Sequence, residues 1–269
     1  MMITKRSIMM VVTASLMSML TGTFAKSPSN GIEERFQSRV YRGDDHFSLP
    51  YRLLVPTRPE TGNNYPLILF LHGSDERGRD NKKQLFVGLD IFADQDKMKR
   101  YPCFILAPQC PEEKMWADVD WKSDCHTMKE EPTPALMAAL NLVKLLINEY
   151  PIDVDSIYVT GNSMVGFGAW EAVQRWPDFF AAAVPVCGGG DESAAQRIAH
   201  VPLWAFHGAR DTIVKVSRTR RMIHAVVRSG GIPRYTEYPH SNHFSWGIAY
   251  GGEELFKWLF RQKRGRLFY

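Results

Sequence analysis

Ser163, Asp211 and His243 have the side chains that nucleophilic acyl transfer needs, and they occur in the order serine, acid, histidine. A serine hydroxyl is a weak nucleophile at neutral pH, and an imidazole that takes its proton while a carboxylate holds the ring makes it a strong one. Ser163 stands in Gly161-Asn162-Ser163-Met164-Val165-Gly166, after Ile157-Tyr158-Val159-Thr160 and before an amphipathic stretch carrying Trp170 and Val173. A strand that turns sharply into a helix would lift this serine above a sheet, with helix N-terminal N–H groups facing it. Gly161 suits the tight turn, whereas Val165 occupies a position where a second small residue is expected. A serine before a helix is more often a simple N-cap, so the pattern gains its weight from its partners.

The partners follow apolar strands. Val201-Pro202-Leu203-Trp204-Ala205-Phe206-His207-Gly208 leads into Asp211, and Tyr235-Thr236-Glu237-Tyr238 leads through Pro239 to His243. Upstream, Pro66-Leu67-Ile68-Leu69-Phe70-Leu71 runs into His72-Gly73-Ser74-Asp75-Glu76-Arg77-Gly78, where a second backbone donor for an oxyanion is expected. Asp191, after three glycines, is the rival acid and His240 the rival base. His72 and His207 each end a strand before glycine and read as loop-orienting residues. Trp121 and Trp246 read equally as walls of a substrate pocket or as packing residues.

The elements that must position these groups alternate. Strands are expected at 39–42 and 47–55 as an antiparallel hairpin, then at 66–71, 102–107, 157–160, 201–208 and 235–238. Helices are expected near 81–94, at 134–149, after Ser163 and at 251–261. The clearest is 134–149, with Thr133 as N-cap, Pro134 at the first position, and Leu136, Leu140, Val143 and Ile147 on one stripe. Such alternation predicts an α/β fold: a mainly parallel central sheet with helices on both faces and an antiparallel N-terminal edge. The segment 108–131 is long for a mere connection, which favours a functional loop.

With 269 residues and 45% hydrophobic content, the chain is long enough for one large core. Residues 1–25 read differently: Lys5-Arg6, an apolar run to Leu20, then Thr23-Phe24-Ala25 ahead of Lys26, the pattern of a cleaved secretory signal. The expected organisation is a leader at 1–25 and a single domain at 26–269, secreted or periplasmic, with no stable membrane insertion after cleavage. The formal charge is +4, and removing Lys5 and Arg6 leaves +2, too little to steer the chain toward nucleic acid. Cys103, Cys110, Cys125 and Cys187 allow three pairings in an oxidising compartment, with Cys110–Cys187 preferred because both follow strands. No cysteine or histidine spacing predicts a metal site, and no cofactor is expected.

At 157–170, again at Pro185-Val186-Cys187-Gly188-Gly189-Gly190-Asp191 and at 204–211, the chain resembles secreted bacterial α/β-hydrolases of the esterase and predicted-peptidase kind. These lie near the polyhydroxybutyrate depolymerase, feruloyl/acetylxylan esterase and phospholipase/carboxylesterase groups. The resemblance runs from about Tyr65 to Arg264. It implies the α/β-hydrolase fold, Ser163 as nucleophile, Asp211 as acid, His243 as base, and the N–H groups of Met164 and Ser74 as oxyanion donors. Val165 and Asp75 depart from the pattern at positions where glycine is usual. The expected activity is hydrolysis of a carboxylic ester on a small molecule or a polysaccharide. A serine peptidase and a catalytically weakened binding protein of the same fold are the alternatives.

Overall fold

Runs rich in β-branched, aromatic and leucine residues form one eight-stranded sheet in the order β1-β2-β4-β3-β5-β6-β7-β8. The strands are β1 (Phe36–Arg42), β2 (Ser48–Leu54), β3 (Tyr65–Leu71), β4 (Phe104–Pro108), β5 (Ile152–Asn162), β6 (Ala182–Val186), β7 (Trp204–Gly208) and β8 (Arg234–Tyr238). The hairpin β1–β2 and the β2–β4 pair are antiparallel, and every pairing from β4 to β8 is parallel. This computed structural model describes residues 31–43, 47–57 and 59–266, and of Val165 the backbone alone. The expected leader lies outside the described residues, as do the tip of the β1–β2 turn and the C-terminal three residues.

From Gly31 onward the chain is one compact unit. Its central strands are buried on both faces, as a parallel sheet between two helical layers requires. Leu67, Leu69, Leu71, Ile157 and Val159 face a core with α4 (Pro134–Glu149), α5 (Met164–Arg175) and α6 (Val216–Arg228). Ile68, Phe70, Tyr158 and Val184 face the opposite core with α2 (Leu89–Phe92), α7 (Trp246–Gly251) and α8 (Glu253–Leu259). The remaining helices are α1 (Ile32–Arg35) and α3 (Gln95–Arg100). Trp170 is wholly buried in the first core, where truncation to alanine would cost about 3–5 kcal/mol.

Helix α4 keeps the expected bounds because its start is chemically specified. Thr133 Oγ1 accepts the Leu136 N–H at 3.2 Å, and Pro134 occupies a position whose N–H has no helical partner. The helix expected near 81–94 is instead broken into a 3-10 turn at Lys83–Leu85, then α2 and α3. Gly88 has φ 81°, and a Cβ there would lie 3.1 Å from the Tyr250 ring and 3.3 Å from Trp246, so this point is a tight turn. Asp94 then caps α3, accepting the Asp96 and Lys97 N–H groups at 3.1 Å. The last helix, expected at 251–261, is the shorter α8, and the extended Gly252 separates it from α7.

The cysteine expectation fails. All four are free thiols, and Cys110 and Cys187 belong to the cores on opposite faces of the sheet. Strand-end position alone does not say which face a side chain takes; the two-residue period decides it.

Candidate active site

Ser163 sits between β5 and α5 with φ 66° and ψ −124°, a conformation that costs a non-glycine residue about 1–3 kcal/mol. Its side chain makes no capping bond, which disposes of the N-cap reading. Its N–H donates to the Val186 carbonyl at 3.0 Å and its carbonyl accepts the Gly166 N–H at 2.8 Å, so β6 and the helix start hold the strained turn. The position that admits no side chain is Gly166: a Cβ there would lie 2.5 Å from the Val186 oxygen and 2.7 Å from Gly188 Cα. Val165 is the second residue of α5, and the close backbone approach falls one residue later than expected.

The structure brings Ser163, His243 and Asp211 into one hydrogen-bonded chain. Ser163 Oγ lies 2.7 Å from His243 Nε2, and His243 Nδ1 lies 2.6 Å from Asp211 Oδ2. His243 is buried, with its ring edge-on to Trp246 at 5.6 Å. The loop carrying it presses on the end of β7 because position 208 is glycine. A Cβ there would fall 2.1 Å from the Asn242 oxygen.

The Asp211 carboxylate is wholly shielded from solvent. Its Oδ1 accepts the N–H groups of Ile213 and Val214 at 2.8 Å each, and its Oδ2 faces His207 Nε2 at 3.1 Å as well as His243. Burial pushes its pKa up, but the hydrogen bonds from His207, His243 and the Val214 N–H outweigh it and hold the group well below the usual carboxylate range. Asp211 is therefore ionised at neutral pH.

The rivals are elsewhere. Asp191 caps the 3-10 turn Glu192–Ile198 and accepts the N–H groups of Ser193 and Met128 at 2.9 and 2.8 Å. His240 is exposed, with Nδ1 3.3 Å from Arg210 Nη2.

The end of β3 borders the serine turn, since a Cβ on Gly73 would lie 3.7 Å from the Asn162 oxygen. Ser74 opens a 3-10 turn, Ser74–Glu76, so Asp75 takes an ordinary right-handed conformation that does not require glycine. Met164 is the first residue of α5, so its N–H has no acceptor within the helix. His72 pins this corner: Nε2 accepts the Cys110 N–H at 2.8 Å and Nδ1 donates to the Gly73 carbonyl at 2.7 Å. Burial lowers its pKa to about 4, with the Gly73 carbonyl opposing and Arg77 adding to the shift. Glu76, unmarked in the sequence, is 7% exposed. Burial and then the Asp75 charge raise its carboxyl to about 7, against hydrogen bonds from its own N–H and that of Gly73.

Trp121 packs half-buried against Ala117, Val119, Phe167 and Val214, which ties the 108–131 loop to residues one turn past Ser163 and three past Asp211. Arg218 of α6 holds the same loop from below. It is wholly buried, donates to the Ser123 carbonyl at 2.9 Å and to His126 Nδ1, and lies over the Phe167 ring. Its buried Nε meets no acceptor among the described residues. Among those residues, Cys187, His207 and Asp211 bring ligand atoms within 4.8 Å of one another. Their polar atoms already serve hydrogen bonds, Cys187 Sγ to Ser245 Oγ and the His243 carbonyl included, and burial pushes that thiol up to about 12, so the group is a poor metal site.

The sheet order and the strand-to-helix serine turn are those of the α/β-hydrolase fold, and structural comparison agrees. A thermostable esterase superposes with a TM-score of 0.79 and 37% identity over 87% of this chain and 64% of its own. A ferulic acid esterase matches with a TM-score of 0.59 at 15% identity, over 83% of this chain and 98% of its own. The Pyrococcus horikoshii acylaminoacyl peptidase gives 0.63 at 14% identity, over 87% of this chain and 43% of its own. These last two share the fold. An uncharacterized secreted protein of Arthroderma benhamiae is 28% identical over 213 residues, covering 68% of this chain and 22% of that protein. The chain thus spans less than two thirds of the esterase and less than a quarter of the fungal relative. No protein-family model matches the sequence. No helix among the described residues is long and apolar enough to cross a membrane.

Proposed function

We propose that this chain is an exported serine hydrolase that cleaves carboxylic esters. The observation that carries the reading is the bonded chain from Ser163 Oγ through His243 to Asp211, on a serine held at φ 66°. His243 Nε2 takes the proton from Ser163 Oγ as the oxygen attacks the ester carbonyl, and Asp211 holds the ring tautomer and stabilises the imidazolium. The N–H groups of Met164 and Ser74 receive the oxyanion, each worth about 2.7–4 kcal/mol of barrier. His243 then protonates the departing alcohol, and water releases the acyl group by the same route. Trp246, edge-on to His243, and Trp121 wall the substrate space. The 37% identity to an esterase favours ester over amide, and the leader-like first 25 residues and the secreted fungal relative favour export.

The test is turnover of an aryl acetate beside a peptide anilide by the mature protein beginning at Lys26. The expected result is ester turnover that disappears in Ser163→Ala, together with fluorophosphonate labelling of Ser163. Preference for the anilide would make it a peptidase. Neither turnover nor labelling would make it a binding protein of this fold.

A further inference from the structure

His207 is wholly buried, and among the described residues neither of its ring nitrogens faces a free donor. On one side Nδ1 lies 2.7 Å from Thr219 Oγ1. That hydroxyl has a single proton, and it is 2.5 Å from the Gly188 carbonyl, a separation that two oxygens tolerate only with the proton between them. The hydroxyl therefore accepts from the ring, and Nδ1 carries a hydrogen. On the other side Nε2 is 3.1 Å from Asp211 Oδ2 and 3.1 Å from the Val214 carbonyl, both acceptors. A bare nitrogen lone pair there would face an ionised carboxylate and a carbonyl, so Nε2 carries a hydrogen too.

We propose that His207 is a positioning residue held as an imidazolium behind Asp211, where it fixes the carboxylate and moderates the basicity of His243. The inference deepens the serine hydrolase reading and rests on it for its kinetic consequence, although the charge of His207 follows from local geometry alone. A lone buried cation would be costly, but this one forms a close pair with Asp211. The other charged or titratable groups around it are few. Cys187, at the end of β6, is a neutral thiol. His243, on the loop after β8, shares Asp211 Oδ2 with it. Glu237, beside it on β8, is bound to Arg220 of α6 and to Tyr235. The proton cost of catalysis follows: with Asp211 already balanced by one imidazolium, a second proton on His243 is less welcome than in a site where the acid serves one histidine.

Histidine-selective nitrogen-15 NMR of the full mature protein reads the charge directly. His207 should show both ring nitrogens protonated from pH 6 to 8; a neutral tautomer at pH 7 would overturn the inference. The kinetic arm uses His207→Gln, which keeps an N–H donor toward Asp211 without the charge. The acid limb of kcat/KM should move upward by about one pH unit, with kcat down about tenfold. A loss of kcat with the limb unmoved would reduce His207 to a packing residue and overturn the inference. Absence of fluorophosphonate labelling in the parent would sink the hydrolase reading separately, and the nitrogen shifts would still decide the charge.

Discussion

The same dipeptide stands at the ends of two strands, His72-Gly73 just after β3 and His207-Gly208 closing β7, and the two corners do opposite electrostatic work. At β3 the ring is held between one donor and one acceptor, the Cys110 N–H and the Gly73 carbonyl, so a neutral tautomer satisfies it. At β7 the ring lies between acceptors on both sides, and only the cation satisfies it. The difference is made by the partner that reaches the imidazole, a backbone amide in one case and a carboxylate in the other. One corner therefore supplies dipoles to the serine turn and the other supplies charge.

Breaking the charged corner should have the largest effect. Asp211→Asn is expected to lower kcat on an aryl ester by roughly ten-thousandfold through loss of the ring tautomer. Asp191→Asn, whose carboxylate caps a turn, should leave kcat within about threefold. The opposite ranking in steady-state kinetics would reassign the acid.

The neutral corner should reveal itself in stability. Glu76 titrates near 7 in the fold, above its unfolded value, so the folded state holds its proton more tightly and stability falls as pH rises from about 4.5 through 7, by up to about 3 kcal/mol. His72 acts the other way: its folded pKa is depressed to about 4, so stability falls as pH drops from about 6.5 through 4. Glu76→Gln should accordingly flatten the fall in Tm between pH 5 and 8 and leave the variant more stable than the parent at pH 8. A Tm profile that stays parallel to the parent's would show that Glu76 is not the group responsible.

A smaller effect sharpens the contrast between the histidines. His72→Gln keeps groups able to donate and to accept, so kcat should fall about tenfold with no movement of the acid limb, unlike His207→Gln. Smallest of all, Val165→Gly places a glycine in the first turn of α5 and should cost about 1 kcal/mol of stability with kcat within about threefold. The close approach to β6 belongs to Gly166, and a marked rise in kcat would return the strain to position 165.

Much of this site was legible because its parts lie at strand ends in chain order: Ser163 after β5, Asp211 after β7, His243 after β8. Thr133 and Pro134 likewise marked the start of α4 by local chemistry. What escaped depends on contacts between distant segments. The charge of His207 needs Thr219 and Gly188, the fit of Gly166 needs the end of β6, and the break at Gly88 needs Tyr250. The cysteine preference failed for the same kind of reason, since strand-end position carried no information about the face each thiol took. Glu76 gave no signal because a carboxylate between Asp75 and Arg77 looks like part of a solvated charge run.

The guanidinium of Arg218 has a consequence for how the molecule breathes. Among the described residues no carboxylate is hydrogen-bonded to it and its Nε is unbonded, and the segment around Ser123 and His126 keeps it from water. Detaching that segment would surrender the two Arg218 hydrogen bonds and the exposed Lys215–Asp124 pair but would rehydrate a buried cation, so the terms largely offset. Local opening there is cheap compared with unfolding the sheet. Amide exchange across residues 117–126 should therefore proceed through a sub-global fluctuation, which would give the Trp121 side of the site its own rhythm while Ser163 and its partners stay fixed.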